Sequence, residues 1–141
     1  MLDTDVFTLL LRGNENVRLR ISQTSPASLA ITIITIEECL TGWYSEIRRA
    51  RRDEAILEAY ASLQETFEIL RGLPVLSFNA NALNRFHTLR KLNRRIAGND
   101  LRIAAITMSH SGTLVTRNER DFVKIEGLRV VDWSTPFDAN S

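Results

Sequence analysis

Leu29-Ala-Ile-Thr-Ile-Ile34 running into Thr35-Ile-Glu-Glu38 (LAITIITIEE) is the stretch on which the fold turns. Its first six residues are nearly all apolar and rich in isoleucine, the pattern of a buried strand rather than a half-exposed one. Thr35 then stands as a helix N-cap with Glu38 three residues on, the spacing of a capping box. The helix it opens is expected to run through Trp43 and Tyr44 to about Ala50. A strand passing directly into a helix is half of a βαβ unit.

The same alternation repeats outward. Upstream, MLDTD (residues 1–5) reads as a short buried strand ending in polar residues. A helix through Phe7–Leu11 follows, then a stop at Gly13-Asn14 and a second short helix from Asn14 to Ser22. Downstream, Ile56, Tyr60, Leu63, Phe67 and Leu70 recur at spacings of four, three, four and three, a helical stripe closed by Arg71-Gly72. PVLSF (74–78) is a third strand. Leu83, Phe86, Leu89, Leu92 and Ile96 form another helical stripe, and Asp100 opens a helix over LRIAAITM that ends at His110-Ser111-Gly112. TLVT (113–116) and LRVVDW (128–133) supply the fourth and fifth strands.

Strands alternating with helices predict an α/β domain: a mainly parallel, five-stranded sheet covered by helices on both faces, in three layers. With 141 residues there is room for one domain with a real core. We place it at residues 1–135, with 136–141 as a flexible C-terminal tail. Cys39 is the only cysteine, so no internal disulfide can form, which fits a reducing cytoplasm. No apolar run approaches the roughly 20 residues that span a bilayer, and no basic-then-apolar leader opens the chain. A cytoplasmic protein without membrane contact is expected.

In a parallel sheet, ligands collect at the carboxyl ends of the strands, so the placement of acids is informative. Asp3 ends the first strand, Glu38 lies in the turn after the second, Asp100 starts a helix, and Asn118 and Asp121 follow the fourth strand. Gathered together, such acids repel and hold protons too tightly unless a cation sits among them. Oxygen ligands select Mg²⁺ or Mn²⁺ over zinc, and such an ion can activate water and offset charge on a phosphate. Each acid taken alone has a plainer role: frayed terminus for Asp3 and Asp5, capping box for Glu38, helix-dipole partner for Asp100, turn former for Asn118 and loop acid for Asp121. Their recurrence at equivalent places in the topology is the argument for a site.

These residues resemble the PIN-domain ribonucleases, especially the VapC-type toxins of toxin–antitoxin pairs. The likeness is carried by MLDTD, ITIITIEECLTG, GNDLRIAAITMSHSGTLVTRNERDF and GLRVVDW, from residue 1 to about Trp133. It implies catalytic residues Asp3, Glu38, Asp100, Asn118 and Asp121, with Asp3, Glu38 and Asp100 as metal ligands and Glu37 as the substitute should the register slip by one. Asp5 stands where many relatives carry asparagine, and Asn118 where some carry aspartate, so Asp5 is either an extra ligand or a support. Thr116 would position water or a phosphate. The resemblance further implies an Mg²⁺- or Mn²⁺-dependent endoribonuclease hydrolysing RNA phosphodiesters with a metal-activated water, a homodimer, and a cognate antitoxin as partner. The alternative is a catalytically silent PIN-like module that binds RNA or protein.

Basic residues segregate around these positions: Arg48, Arg49, Arg51 and Arg52 after the Glu38 helix, Arg85, Arg90, Lys91, Arg94 and Arg95 before Asp100, and Arg117, Arg120 and Lys124 beside the last acids. Such clusters suit a polyanion, although neighbours such as Asp53, Glu54 and Glu58 can neutralise part of them. Arg117 and part of Arg90–Arg95 are expected to contact RNA or an acidic antitoxin tail. Trp43 and Tyr44 can stack on bases or serve packing, a dimer contact or an antitoxin groove; Trp133 reads as a lid on the core. A two-histidine mechanism would rest on His87 and His110 alone. No Gly-rich phosphate loop, GxSxG element or paired cysteine ligands support nucleotide, serine-hydrolase or zinc chemistry. A receiver-type acidic pocket would need a phosphoacceptor aspartate after a central strand and a lysine late in the sheet, and neither is evident.

Overall fold

The computed structural model describes residues 1–136; the remainder of the expected 136–141 tail lies outside the described residues. The elements run α1 (Thr4–Leu11), α2 (Glu15–Ser22), a 3-10 turn (Pro26–Ser28), β1 (Ile31–Thr32), α3 (Ile33–Arg49), α4 (Asp53–Leu70), β2 (Val75–Leu76), α5 (Ala80–Leu92), α6 (Gly98–Ser109), β3 (Thr113–Val115), α7 (Glu119–Phe122) and β4 (Arg129–Val131).

The five expected strand positions all carry pairing, but they are shorter than the apolar runs suggest. β1 pairs with β2 in parallel, Ile31 opposite Val75, and β3 pairs with β4 in parallel, Leu114 opposite Val130. Residues 1–3 bridge the two pairs. Leu2 forms a parallel bridge with Val115, and its amide donates to the Ala30 carbonyl at 2.9 Å. The order across the sheet is therefore β2, β1, residues 1–3, β3, β4.

Side chains alternate across this sheet as the two-residue period demands. Leu2, Ile31 and Val115 pack with Val6, Phe7, Val17, Cys39 and Leu70 on one face. Leu114, with Met1, Leu76 and Val130, packs with Leu101, Ile103, Ala104 and Phe122 on the other. Both faces are covered, which is the expected three-layer arrangement.

Several boundaries differ from the expectation, each for a local reason. The apolar run 29–34 does not stay extended: Thr32 is the N-cap of α3, its hydroxyl accepting the Thr35 amide at 3.1 Å. Ile33 and Ile34 are thus already helical, and Glu38 sits on the second turn rather than in a capping box. At the N-terminus, Asp3 caps α1 through the Val6 amide at 2.8 Å, so Thr4 and Asp5 are helical and not part of the strand. The stripe on α4 is only partly a core stripe. Tyr60 and Phe67 are more than half exposed, and α4 buries Ala59, Thr66 and Leu70 instead. α5 stops at Leu92, capped by Asn93, so Ile96 reaches the core from a loop while Leu92 is 76% exposed.

Leu101→Ala deletes a fully buried side chain and should cost about 2–5 kcal/mol. Leu92→Ala, on the same apparent periodicity, should change stability by no more than about 0.5 kcal/mol. Urea denaturation of both variants checks the end of α5: similar losses would mean that the helix and its stripe continue to Ile96.

Candidate active site

The carboxyl ends of three neighbouring sheet positions share one edge, and each hands the chain directly to a helix. Asp3 leaves the central position as the cap of α1. Thr32 leaves β1 as the cap of α3, which carries Glu38 on its second turn. Thr116 leaves β3 and holds the turn into α7, its hydroxyl accepting the Asn118 amide at 3.0 Å. Asp100 arrives from the other direction, in the first turn of α6.

Glu38 faces this edge. Its carboxylate accepts the Thr4 hydroxyl at 3.0 Å, which ties α3 to the first turn of α1 beside Asp3. Glu37, the substitute in the register, is engaged elsewhere: it is exposed and accepts the Asn99 side-chain amide at 3.1 Å. Asn99 in turn accepts Arg102 at 2.8 Å. Thr4 was not singled out in the sequence, although it lies inside the LDT opening that marks Asp3; its role emerges only once α1 is seen to start at Thr4.

Electrostatics make the grouping explicit. Asp3 is 5% exposed, and burial pushes its carboxyl up to about 6, opposed by bonds from Thr116 and Val6 and reinforced by the charges of Asp5 and Asp100. Burial likewise raises Glu38, the Thr4 bond working against it and Asp100 and Glu37 adding to it. Asp100 is raised by burial and by Asp121. These acids feel one another, and none of the three has an ion-pair partner among the described residues.

The two remaining acids are neutralised by the chain itself. Asp5 takes Arg117 in a two-pronged pair, 2.7 Å to Nε and 2.5 Å to Nη2. In this structure Asp5 is thus paired with Arg117, and both side chains remain nearly half exposed. Asp121 accepts Asn118 Nδ2 at 3.2 Å and Lys124 at 3.3 Å, and these bonds lower its carboxyl below the usual range.

The donor set at the edge is all oxygen: three raised carboxylates, the Thr116 hydroxyl and the Asn118 amide. Among the described residues no three His, Cys, Asp or Glu side chains close into a metal cage. Oxygen donors are the type that suits an ion such as Mg²⁺.

Other features fall outside the site. Arg48 and Arg49 lie at the far end of α3, roughly 15 Å along the helix from Glu38, Arg51 and Arg52 lie just beyond it in the link to α4, and Arg49 pairs locally with Glu46. Trp43 donates its indole N–H to Thr66 at 3.0 Å and so serves α3–α4 packing, while Tyr44 is exposed. Trp133 packs against the core as a lid. His110 caps the C-terminal end of α6 and contacts the Ile106 carbonyl, a full helix length from Asp100.

A pH dependence follows from Asp3. Its folded carboxyl takes a proton near 6 against an ordinary value of 3.8, so the folded state binds the extra proton between those values. Stability must therefore fall as pH rises through that window. Holding the charge at neutral pH costs about 3 kcal/mol. Asn can still cap α1, so in metal-free buffer Asp3→Asn should be more stable than wild type by about 2–3 kcal/mol at pH 7.5 and nearly equal at pH 4. Denaturant titrations at the two pH values measure this; a gap that does not widen with pH would contradict it.

Known proteins match this chain along nearly its whole length. Ribonuclease VapC1 of Haemophilus influenzae (strain R2866) is 29% identical over 136 residues, covering 95% of this chain and 97% of that protein. The tRNA(fMet)-specific endonuclease VapC of Shigella flexneri is 26% identical over 139 residues, covering 95% and 97%. The structure of VapBC-1 from nontypeable Haemophilus influenzae superposes with a TM-score of 0.76 at 26% identity, covering 96% of this chain and 98% of that one. The PIN-domain family model matches residues 1–128, nearly the whole chain, and the chain therefore belongs to the PIN-domain family.

Proposed function

We propose that this protein is a divalent-metal-dependent endoribonuclease and the toxin of a toxin–antitoxin pair. The observation that carries the proposal is the trio Asp3, Glu38 and Asp100: acids at one sheet edge, all raised by burial, with the charge of Asp100 adding to Asp3 and Glu38 and that of Asp121 to Asp100, and none of the three in an ion pair among the described residues. A cation that also touches a phosphate relieves that repulsion.

A bound Mg²⁺ or Mn²⁺ would supply Lewis acidity toward the phosphate and a more acidic water. The chain's own contribution is placement. Asp3 is fixed by the Val6 amide and Glu38 by the Thr4 hydroxyl, so neither carboxylate needs to reorganise when the ion arrives. Thr116 holds the β3–α7 turn so that Asn118 and Asp121 stand beside Asp100. Asn118 offers an uncharged donor and acceptor, which suits a group near a phosphate oxygen better than a further negative charge would.

The relatives named ribonuclease and endonuclease support RNA as the substrate, and the VapBC-1 complex supports an antitoxin partner. A groove of about 720 Å³ lined by Ile36, Leu40, Tyr60, Leu63, Phe67 and Val75 lies between α3, α4 and β2. The exposed Tyr60 and Phe67 give it the character of an apolar face awaiting a partner, and an amphipathic helix is the natural occupant. The homodimer implied by the family resemblance belongs to the same proposal. No helix among the described residues is long and apolar enough to cross a membrane.

Purified protein should cut single-stranded RNA in Mg²⁺ or Mn²⁺ and stop when EDTA is added. Asp100→Asn should lower kcat by at least about 100-fold, the scale of losing one preorganised electrostatic group, with the melting temperature maintained or raised. Wild-type cleavage by this variant, or cleavage indifferent to EDTA, would refute the mechanism. RNA binding without any cleavage would favour the catalytically silent module.

A further inference from the structure

The loop joining α5 to α6 collects cations that the acidic edge does not use. Lys91, Arg94 and Arg95 are exposed, and none has an ion-pair partner among the described residues. With Leu92 they line a groove of about 540 Å³ whose other wall is Asp121 and Lys124. Asp121 also accepts Asn118 Nδ2, and the Asn118 amide donates to Thr116 at the carboxyl end of β3, so this wall of the groove belongs to the sheet edge that carries the acids. A second groove of about 570 Å³, between His87, Arg90, Lys91 and Arg94, shares two of these side chains and continues the path away from the site along α5.

The loop is held in place rather than loose. Arg90 donates to the Ile96 carbonyl at 3.0 Å, the Asn93 amide to the Leu89 carbonyl at 2.9 Å, and Ile96 is buried in the core. Arg90 is thus spent on structure, while Lys91, Arg94 and Arg95 are presented on a fixed frame. Lys124 is kept against Asp121. Leu92, 76% exposed in the midst of these charges, offers an apolar surface beside them.

We propose that this cationic groove seats the backbone of a single-stranded RNA on one side of the cleaved bond and leads it to the acidic edge, with Lys91, Arg94 and Arg95 as the phosphate contacts. It rests on the reading of the acidic edge as a cleavage site and adds the direction from which the strand enters. Unpaired cations along a groove that ends beside the acidic edge call for an occupant with regularly spaced negative charge that continues over an ion held there. An RNA strand meets both demands. An acidic protein segment can put a carboxylate on an ion, but its backbone does not carry a charge at every repeat.

The test separates binding from cleavage. Lys91→Ala/Arg94→Ala/Arg95→Ala and a control, Arg51→Ala/Arg52→Ala, are compared with wild type. Fluorescence anisotropy in EDTA measures binding of a labelled 20-nucleotide single-stranded RNA as salt is varied. The triple variant should bind at least tenfold more weakly at about 0.1 M salt, and its log–log salt slope should be shallower by about 2, three cations at ~0.7 each. The control should match wild type, and Arg94→Lys/Arg95→Lys should restore most of the binding because a phosphate accepts either cation.

With Mg²⁺, the triple variant should raise KM for the long RNA with little change in kcat, and should cut a dinucleotide too short to enter the groove as wild type does. An unchanged affinity and salt slope would overturn the groove while leaving the cleavage site intact. So would loss of binding to a co-purified protein partner with RNA binding unaffected, which would assign the groove to an acidic segment of that partner. Failure of wild type to cut even the dinucleotide would instead strike the cleavage reading, and the binding data would still decide the groove.

Discussion

The acidic edge of this protein depends on three carboxylates partly or wholly withdrawn from water, none of them held in an ion pair among the described residues. Asp3, Glu38 and Asp100 come from an edge of the chain's central strand, from a helix after β1 and from the start of α6, and burial raises all three. A fold does not gain stability from such an arrangement. The chain had means to neutralise it: Arg117 and Lys124 lie close by, yet they serve Asp5 and Asp121. The result is a divided edge, with the outer acids Asp5 and Asp121 paired by the protein and the inner acids outside any ion pair among the described residues; the proposed cation would answer the inner set.

The sheet makes that division possible. Its regular strands are only two or three residues long, so every strand end is near every other, and the helices begin at once. Hydroxyl groups then do much of the positioning. Thr32 caps α3, Thr4 holds Glu38, and Thr116 holds the turn to Asn118. Each supplies a short, directional bond without adding charge to a crowded site.

The layer order and the parallel sheet were legible in the sequence, because apolar runs of period two and three to four mark buried faces directly. What escaped was local competition. The isoleucines at 33 and 34 look like strand, but the Thr32 hydroxyl captures the helix start one turn early. Ile96 completes a helical period, yet Asn93 ends α5 and the loop delivers Ile96 to the core by another route. Arg117 lies beside Asn118 in sequence, and only the fold reveals Asp5 waiting for it. The RRARR cluster follows Glu38 in the chain but is carried away from it by three turns of helix. Pairing between distant residues is the information that periodicity lacks, and charged residues, which have no buried face to announce them, suffer most from its absence.

The shared-ion claim is tested most directly by calorimetric titration of Mn²⁺ into wild type, Asp3→Asn, Asp100→Asn and the double variant. If both acids serve one ion, each single substitution weakens binding by at least tenfold, and the double variant loses much less than the sum of the two. Binding that is unchanged in the single variants, or losses that simply add, would mean that these residues do not meet around a common cation.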